Sequence, residues 1–490
     1  MADSSQAIVA GIAVKTDHFI NNQRVGSARR FIDISPIDQT VLAHVAAGGE
    51  AEVDQAVAAA KAAFAGWAAL GPHGRGPILR RLADAIERRN DDLALVETHD
   101  NGSLLEAMRL RVMRRAAYNI RFFADYAENL RPAEWDTQPA NAHNRVCYDP
   151  AGVTAVITPW NAPLMLATWR IGPALAAGNT VVLKPPEWAP LTASLLADCA
   201  LEAGVPPGVI NVVQGIGEEA GAALVAHPDV ERIAFTGSPE TARLIGAAAA
   251  KNLTPVSFEL GGKSPFIVFD DADFELALKT ALGQYDNAGQ VCLAGTRLLV
   301  QHGIYDRFLE GMIERAPHIK YGDPRVAGNE FGPLIHPDHL ARVQRFVDGA
   351  VRDGARLVYG GKVNPQLGGL YFEPTLFIDV PPRAEILRKE VFGPVLTLQA
   401  FHDEDEAIAM ANDTEYGLAA VIFTRDEARA NRVANAVVAG TAWVNCFFVR
   451  DLAAPFGGAR HSGIGREGGL WSFDFYCDVK NVCYRIGTFA

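Results

Sequence analysis

The chain has 490 residues, 49% of them hydrophobic and 21% charged, an ordinary globular composition on a chain too long for one core, so two or three domains are expected. A net charge of -12 argues against nucleic acid as a partner, because its phosphates would be repelled; a small anionic substrate held by local arginines stays possible.

The apolar run from Ala7 to Val14 follows Asp3 and no basic residue, which does not fit a secretory signal. Residues 51–69 are alanine-rich with helical spacing, and further helices are predicted over 75–99 and 103–128. The polar stretch 130–150 holds several turn formers and reads as an extended arm. Residues 153–157 are apolar and β-branched, as in a strand buried on both faces of a parallel sheet. They lie in the longest charge-free stretch, 151–169, where Pro159, Asn161 and Pro163 interrupt any membrane span and leave a strand, a turn and a helix start. Gly178 and Asn179 cap that helix. Strands at 180–184, 209–213 and 231–236 then alternate with helices at 191–204 and 218–226, the pattern of a doubly wound α/β domain. A second α/β pattern has strands at 265–269 and 296–301 and helices at 273–288, 304–316, 337–353 and 404–412. The tail 472–486 alternates aromatic and polar residues and reads as strand. The six cysteines form no Cys-x-x-Cys pair, which predicts no metal site and a reducing, cytoplasmic setting.

Five segments carry chemistry. Thr158-Pro159-Trp160-Asn161 ends the first buried strand, where ligands of open sheets bind, and the Asn161 amide there can meet an oxyanion. Past the next strand, two prolines fix Lys184 and Glu187. A carboxylate at that point accepts ribose hydroxyls and repels a 2′-phosphate, which favours NAD over NADP. Phe235-Thr236-Gly237-Ser238-Pro239-Glu240 leads from a strand into a helix whose N-terminus can hold a phosphate, and Gly215-Ile216-Gly217 is a fragment of a dinucleotide turn. Cys292 and Glu259, the latter followed by Leu260-Gly261-Gly262, suggest a thiol nucleophile and a carboxylate base brought together by folding. Glu390-Val391-Phe392-Gly393 offers a second ribose partner and a flat ring. Each segment by itself also fits a cap, a surface turn or a buried small residue.

Together the five, in this order, resemble the aldehyde dehydrogenase superfamily from about residue 15 to the end. The resemblance implies an α/β protein of two doubly wound domains with a small β oligomerisation arm. Residues 1–127 and 148–258 would bind NAD, 259–460 would be catalytic, and 128–147 with 472–490 would form the arm of a homodimer or homotetramer. It also implies that Cys292 is the nucleophile, Glu259 the general base, and Asn161, with the backbone N–H of Cys292, the oxyanion partner. Thr158, Pro159, Trp160, Lys184, Glu187, Gly217, Phe235, Gly237, Ser238, Leu260, Glu390 and Phe392 would face the cofactor. Branches that pass the thioester to coenzyme A lack the glutamate, so Glu259 favours hydrolysis. Ala242 departs from the family, which often has glycine there.

Segments around Trp160, Val449-Arg450-Asp451-Leu452 and Gly465-Arg466-Glu467-Gly468-Gly469 resemble the hydroxymuconic and aminomuconic semialdehyde dehydrogenase branch, whose substrates carry a carboxylate. Arg450, and Arg115 on the face shared with Tyr118 and Phe122, would anchor it. Leu293-Ala294 after the nucleophile, and Ala453-Ala454, are more apolar than that branch and fit an aryl aldehyde instead. A catalytically silent protein on the same fold is the alternative outside enzymes.

Overall fold

A computed structural model describes residues 5–487; residues 1–4, with Asp3, and 488–490, the ends of the predicted first domain and arm, lie outside the described residues. Val153–Ile157, buried at every position, forms the middle of an eight-stranded sheet. Thr180–Lys184 pairs with it in parallel on one side and Arg232–Gly237 on the other. Ile210–Val212 extends the first side and Val256–Leu260 the second. Chain order therefore reverses at the central strand, and this opens a crevice beyond the strand ends, where Thr158 to Asn161 and Gly237 to Ser238 emerge. Helix Pro163–Ala177 starts with proline at its first position and stops at Gly178, which takes φ 107°.

The second sheet has seven strands, with Pro265–Val268 between Arg297–Gln301 and Ala419–Phe423, all parallel. Thr375–Ile378, Val395–Phe401 and Thr441–Val444 continue it in parallel, while the edge strand Arg356–Tyr359 is antiparallel. A third, antiparallel sheet pairs Cys477–Arg485 with Ala142–Pro150, and this in turn with Glu134–Thr137, whose four residues are all exposed. Both doubly wound units and the separate β arm are thus present.

Some boundaries differ from expectation. The helix predicted over 75–99 is two helices, Gly71–Arg88 and Asn90–Asn101, separated at Arg89; Asp91 and Asp92 in the first turn favour a fresh start there. The helix predicted over 273–288 is α-helical only to Leu282; Gly283–Gly289 continues as a tighter turn in which Asn287 and Ala288 adopt left-handed φ values of 51° and 54°. The tail is not strand throughout. Gly469–Tyr476 is a helix that buries Phe473 and Tyr476, three apart on one face, and the strand begins at Cys477. The helix predicted over 103–128 carries a wide turn at Met108–Val112 before Met113–Asn129. Periodicity also left unmarked the N-terminal hairpin His18–Ile20 and Gln23–Val25, which caps one edge of the first sheet. Among the described residues, no helix is long and apolar enough to cross a membrane, and no group of three or more His, Cys, Asp or Glu is placed to hold a metal ion.

Candidate active site

Cys292 lies in the loop between helix Phe274–Leu282 and strand Arg297–Gln301. Side-chain amides hold that loop in place. Gln284 accepts from the Gly295 N–H at 2.7 Å, and Gln290 accepts from the Ile335 N–H at 3.0 Å while donating to the Asn287 carbonyl at 3.0 Å. Asn161 Nδ2 donates to the Gln290 carbonyl at 3.0 Å, which ties the end of the central strand of the first sheet to the cysteine loop. A second N–H of that amide stays available. A Cβ on Gly262 would lie 2.8 Å from the Cys292 carbonyl oxygen, so the bare glycine lets the strand end that carries Glu259 approach the loop.

Two cavities meet at this point. One, of about 590 Å³, runs between the two α/β units and is lined by Pro159, Trp160, Gly237, Ser238, Glu259, Leu260, Glu390 and Phe392 among others. The other, of about 520 Å³, is lined by Met108, Arg111, Val112, Arg115, Leu293 and Phe447 among others, and thus takes in the wide helical turn. Asn161, Leu166, Cys292 and Arg450 line both.

The electrostatics follow from burial. The Cys292 thiol faces a cavity, but the protein around it is dense enough to push its pKa up to about 12, helped by the negative fields of Glu390 and Glu259. Glu390 is raised to about 7 by burial, although the Gly262 N–H donates to it at 3.0 Å. Burial lowers Arg450 to about 10, with Glu259 the strongest of the charges that favour its cationic form. Its guanidinium lies 3.4 Å from the Phe456 ring centroid and 5.2 Å from that of Trp169. Glu259 is buried; Oε2 lies 3.5 Å from Arg170 Nη2, and Oε1 has no hydrogen-bond partner. The thiol pKa yields a direct expectation. In the protein without cofactor, alkylation of Cys292 by iodoacetamide should keep accelerating with rising pH through about pH 10, with no plateau below it. A plateau near neutrality in a mass-resolved alkylation series would overturn the burial argument.

The cleft between the units fits a dinucleotide. A Cβ on Gly237 would run into the Phe235 ring, and one on Gly261 into the Glu390 carboxylate, so backbone stands bare at the cleft wall. Ser238 caps helix Pro239–Asn252 by accepting from the Thr241 N–H at 3.1 Å, which leaves a helix N-terminus facing the cleft. Trp160 and Phe392 stand edge to face at 5.3 Å, and Phe392 holds a left-handed φ of 59°.

The structure brings Cys292, Glu259, Asn161, Pro159, Trp160, Gly237, Ser238, Leu260, Glu390, Phe392 and Arg450 to one cleft, and Arg115 and Leu293 to the adjoining cavity. Thr158 and Phe235 are buried beside the cleft and absent from its lining. Lys184 and Glu187 pair with each other at 2.7 Å just past their strand, next to Trp188, which does line the cleft. Gly217 is exposed at the start of the turn Gly217–Gly221, off the lining. Sequence reasoning passed over Trp188, stacked at 4.4 Å on His336 of the second unit, and the fully buried Arg170. A lone arginine inside the apolar run Trp169 to Ala177 was the available signal for the latter.

Comparison with known proteins agrees with this geometry. The aldehyde dehydrogenase family profile matches residues 24–482. A 2-hydroxymuconic semialdehyde dehydrogenase of Pseudomonas sp. strain CF600 is 43% identical, over 96% of this chain and 99% of its own length. A mitochondrial benzaldehyde dehydrogenase of Antirrhinum majus is 42% identical, over 94% of this chain and 88% of its own. The solved structure of an indole-3-acetaldehyde dehydrogenase of P. syringae, in complex with NAD+ and IAA, superposes with a TM-score of 0.94 at 39% identity, covering 97% of each chain.

Proposed function

This chain belongs to the aldehyde dehydrogenase family, and we propose that it oxidises, with NAD as acceptor, a carboxylated semialdehyde of aromatic breakdown to the corresponding acid. The observation that carries the choice of substrate is Arg450, a half-buried cation that lines both cavities together with Cys292. Arg115 strengthens it: its Nη1 reaches the Arg450 carbonyl at 3.5 Å, and it faces the same cavity. A fork of guanidinium donors suits a carboxylate arriving on that side.

Cys292 Sγ adds to the aldehyde carbon. Its thiol proton must leave first, to solvent in the open cleft that the thiol shares with Glu259. The oxyanion that forms meets the free N–H of Asn161 and the backbone N–H of Cys292. NAD, when bound, supplies the acceptor for the hydride. The resulting Cys292 thioester is hydrolysed by water that Glu259 deprotonates, and the acid leaves with Arg450 and Arg115 holding its distal carboxylate. Asn161→Ala should lower kcat by about 10²–10³-fold with little change in KM, as loss of a transition-state donor does. Steady-state kinetics showing a KM effect alone would remove Asn161 from this role.

A neutral aryl aldehyde is the second reading. The buried Leu293 in the same cavity, and the benzaldehyde dehydrogenase relative, favour it. The deciding experiment compares NADH formation with 2-hydroxymuconic semialdehyde and with benzaldehyde. A higher kcat/KM for benzaldehyde would reverse the order of the two. For the assembly, the exposed strand Glu134–Thr137 and the exposed Val479 and Tyr484 support pairing of the arm between copies. The free cysteines suit the cytoplasm.

A further inference from the structure

Arg170 sits in the middle of helix Pro163–Ala177 with none of its side chain exposed. Its five N–H groups are all engaged. Nε and one Nη2 hydrogen go to Thr236 Oγ1 at 3.3 and 3.0 Å, the other Nη2 hydrogen goes to the Phe235 carbonyl at 3.2 Å, and Nη1 donates to Ser257 Oγ at 3.1 Å and to the Glu467 carboxylate. Glu467 is itself fixed, accepting from Ser257 at 2.9 Å and from the Tyr476 hydroxyl at 3.3 Å. Glu259 stands at the edge of this network. Its Oε2 is 3.5 Å from Nη2, near enough to feel the charge, with no N–H left to bind it.

A guanidinium is the side chain best suited to supply a fixed positive charge in the interior. Its position sets a cation 3.5 Å from a buried carboxylate of the Cys292 cleft without tying that carboxylate down. A direct bidentate pair would hold Glu259 away from the water it must deprotonate. A fixed cation whose hydrogens are spent elsewhere favours the carboxylate and leaves it free to turn. We propose that Arg170 is a positioning residue for the hydrolytic half of the reaction: a buried, fully hydrogen-bonded charge that keeps Glu259 anionic and untethered at Cys292.

The inference rests on the reading of Glu259 as the base for thioester hydrolysis. It predicts a defect confined to the second half of the reaction. Arg170→Met should still give a first-turnover burst approaching one NADH per active site, followed by a steady rate lower by about 10- to 100-fold, a part of the roughly 10²–10⁴-fold that a general base contributes. Arg170→Lys, which keeps the charge, should recover most of the steady rate. Removing Arg170 also strands Glu467 in the interior and can unfold the protein. The double variant Arg170→Met with Glu467→Gln carries no stranded charge there, and Glu467→Gln alone is its baseline. A double variant with a burst and a steady rate at least tenfold below that baseline supports the proposal. A steady rate equal to the baseline overturns it, as does burst and steady rate falling together, or Arg170→Lys as slow as Arg170→Met. A wild-type protein that forms no NADH with any aldehyde would instead sink the dehydrogenase reading itself.

Discussion

Cys292→Ala should abolish NADH formation, lowering turnover by about 10⁴-fold or more, because no other group bordering both cavities can form the covalent intermediate. The other shared residues, Asn161, Leu166 and Arg450, offer an amide, an alkyl chain and a cation. The substitution removes one sulfur from a loop held by Gln284 and Gln290 through bonds that do not involve the thiol, so the fold and the dinucleotide cleft should persist. Nucleotide binding by calorimetry should therefore survive while the absorbance trace stays flat. Turnover retained by the alanine variant would end the assignment of Cys292, whatever the family relationship.

Arg450→Ala carries the second large effect. Its charge is costly where it stands, since burial lowers its pKa to about 10, and the rings of Phe456 and Trp169 offset only part of that cost. A substrate carboxylate entering from the Arg115 side would complete the pair. Losing it should cost about 2–5 kcal/mol in kcat/KM, roughly 30- to 4000-fold, for a carboxylated semialdehyde. Glu259 is the charge that most favours the cationic form of Arg450, so part of any loss will be shared by neutral aldehydes. The ratio of the losses on 2-hydroxymuconic semialdehyde and benzaldehyde isolates the anchor. An equal loss on both would leave Arg450 acting on Glu259 alone.

The site was legible in the sequence where chemistry coincides with local geometry. Asn161 follows a buried strand by four residues and Glu259 stands one residue from the end of another, and Gly237, Gly261 and Gly262 mark places where backbone must come close. A β-branched run or a glycine carries that information within a few residues. What stayed hidden depends on distant partners. Arg170 finds Glu467 across 297 positions, and nothing within its own helix announces that a cation in an apolar run will be satisfied. Trp188 reads as one more side chain in a proline-rich turn until folding lays it on His336. Helix ends failed for a related reason. The left-handed Asn287 and Ala288 are held by tertiary bonds such as that from Ser103 Oγ to Asn287 Oδ1 at 3.0 Å, which local propensity cannot foresee. Gly217, picked out by a short glycine pattern, is exposed at the start of the turn Gly217–Gly221 and outside the lining of the cleft.

The meeting of two cavities at Cys292 also bears on the sequence of kinetic events. On the proposed function, the acid would form on the side lined by Arg115 and Leu293, and the dinucleotide would lie on the side lined by Trp160 and Phe392. The two linings share only Asn161, Leu166, Cys292 and Arg450. Departure of the acid therefore does not have to wait for departure of the reduced dinucleotide, and an acid analogue should inhibit competitively against the aldehyde and not against NAD.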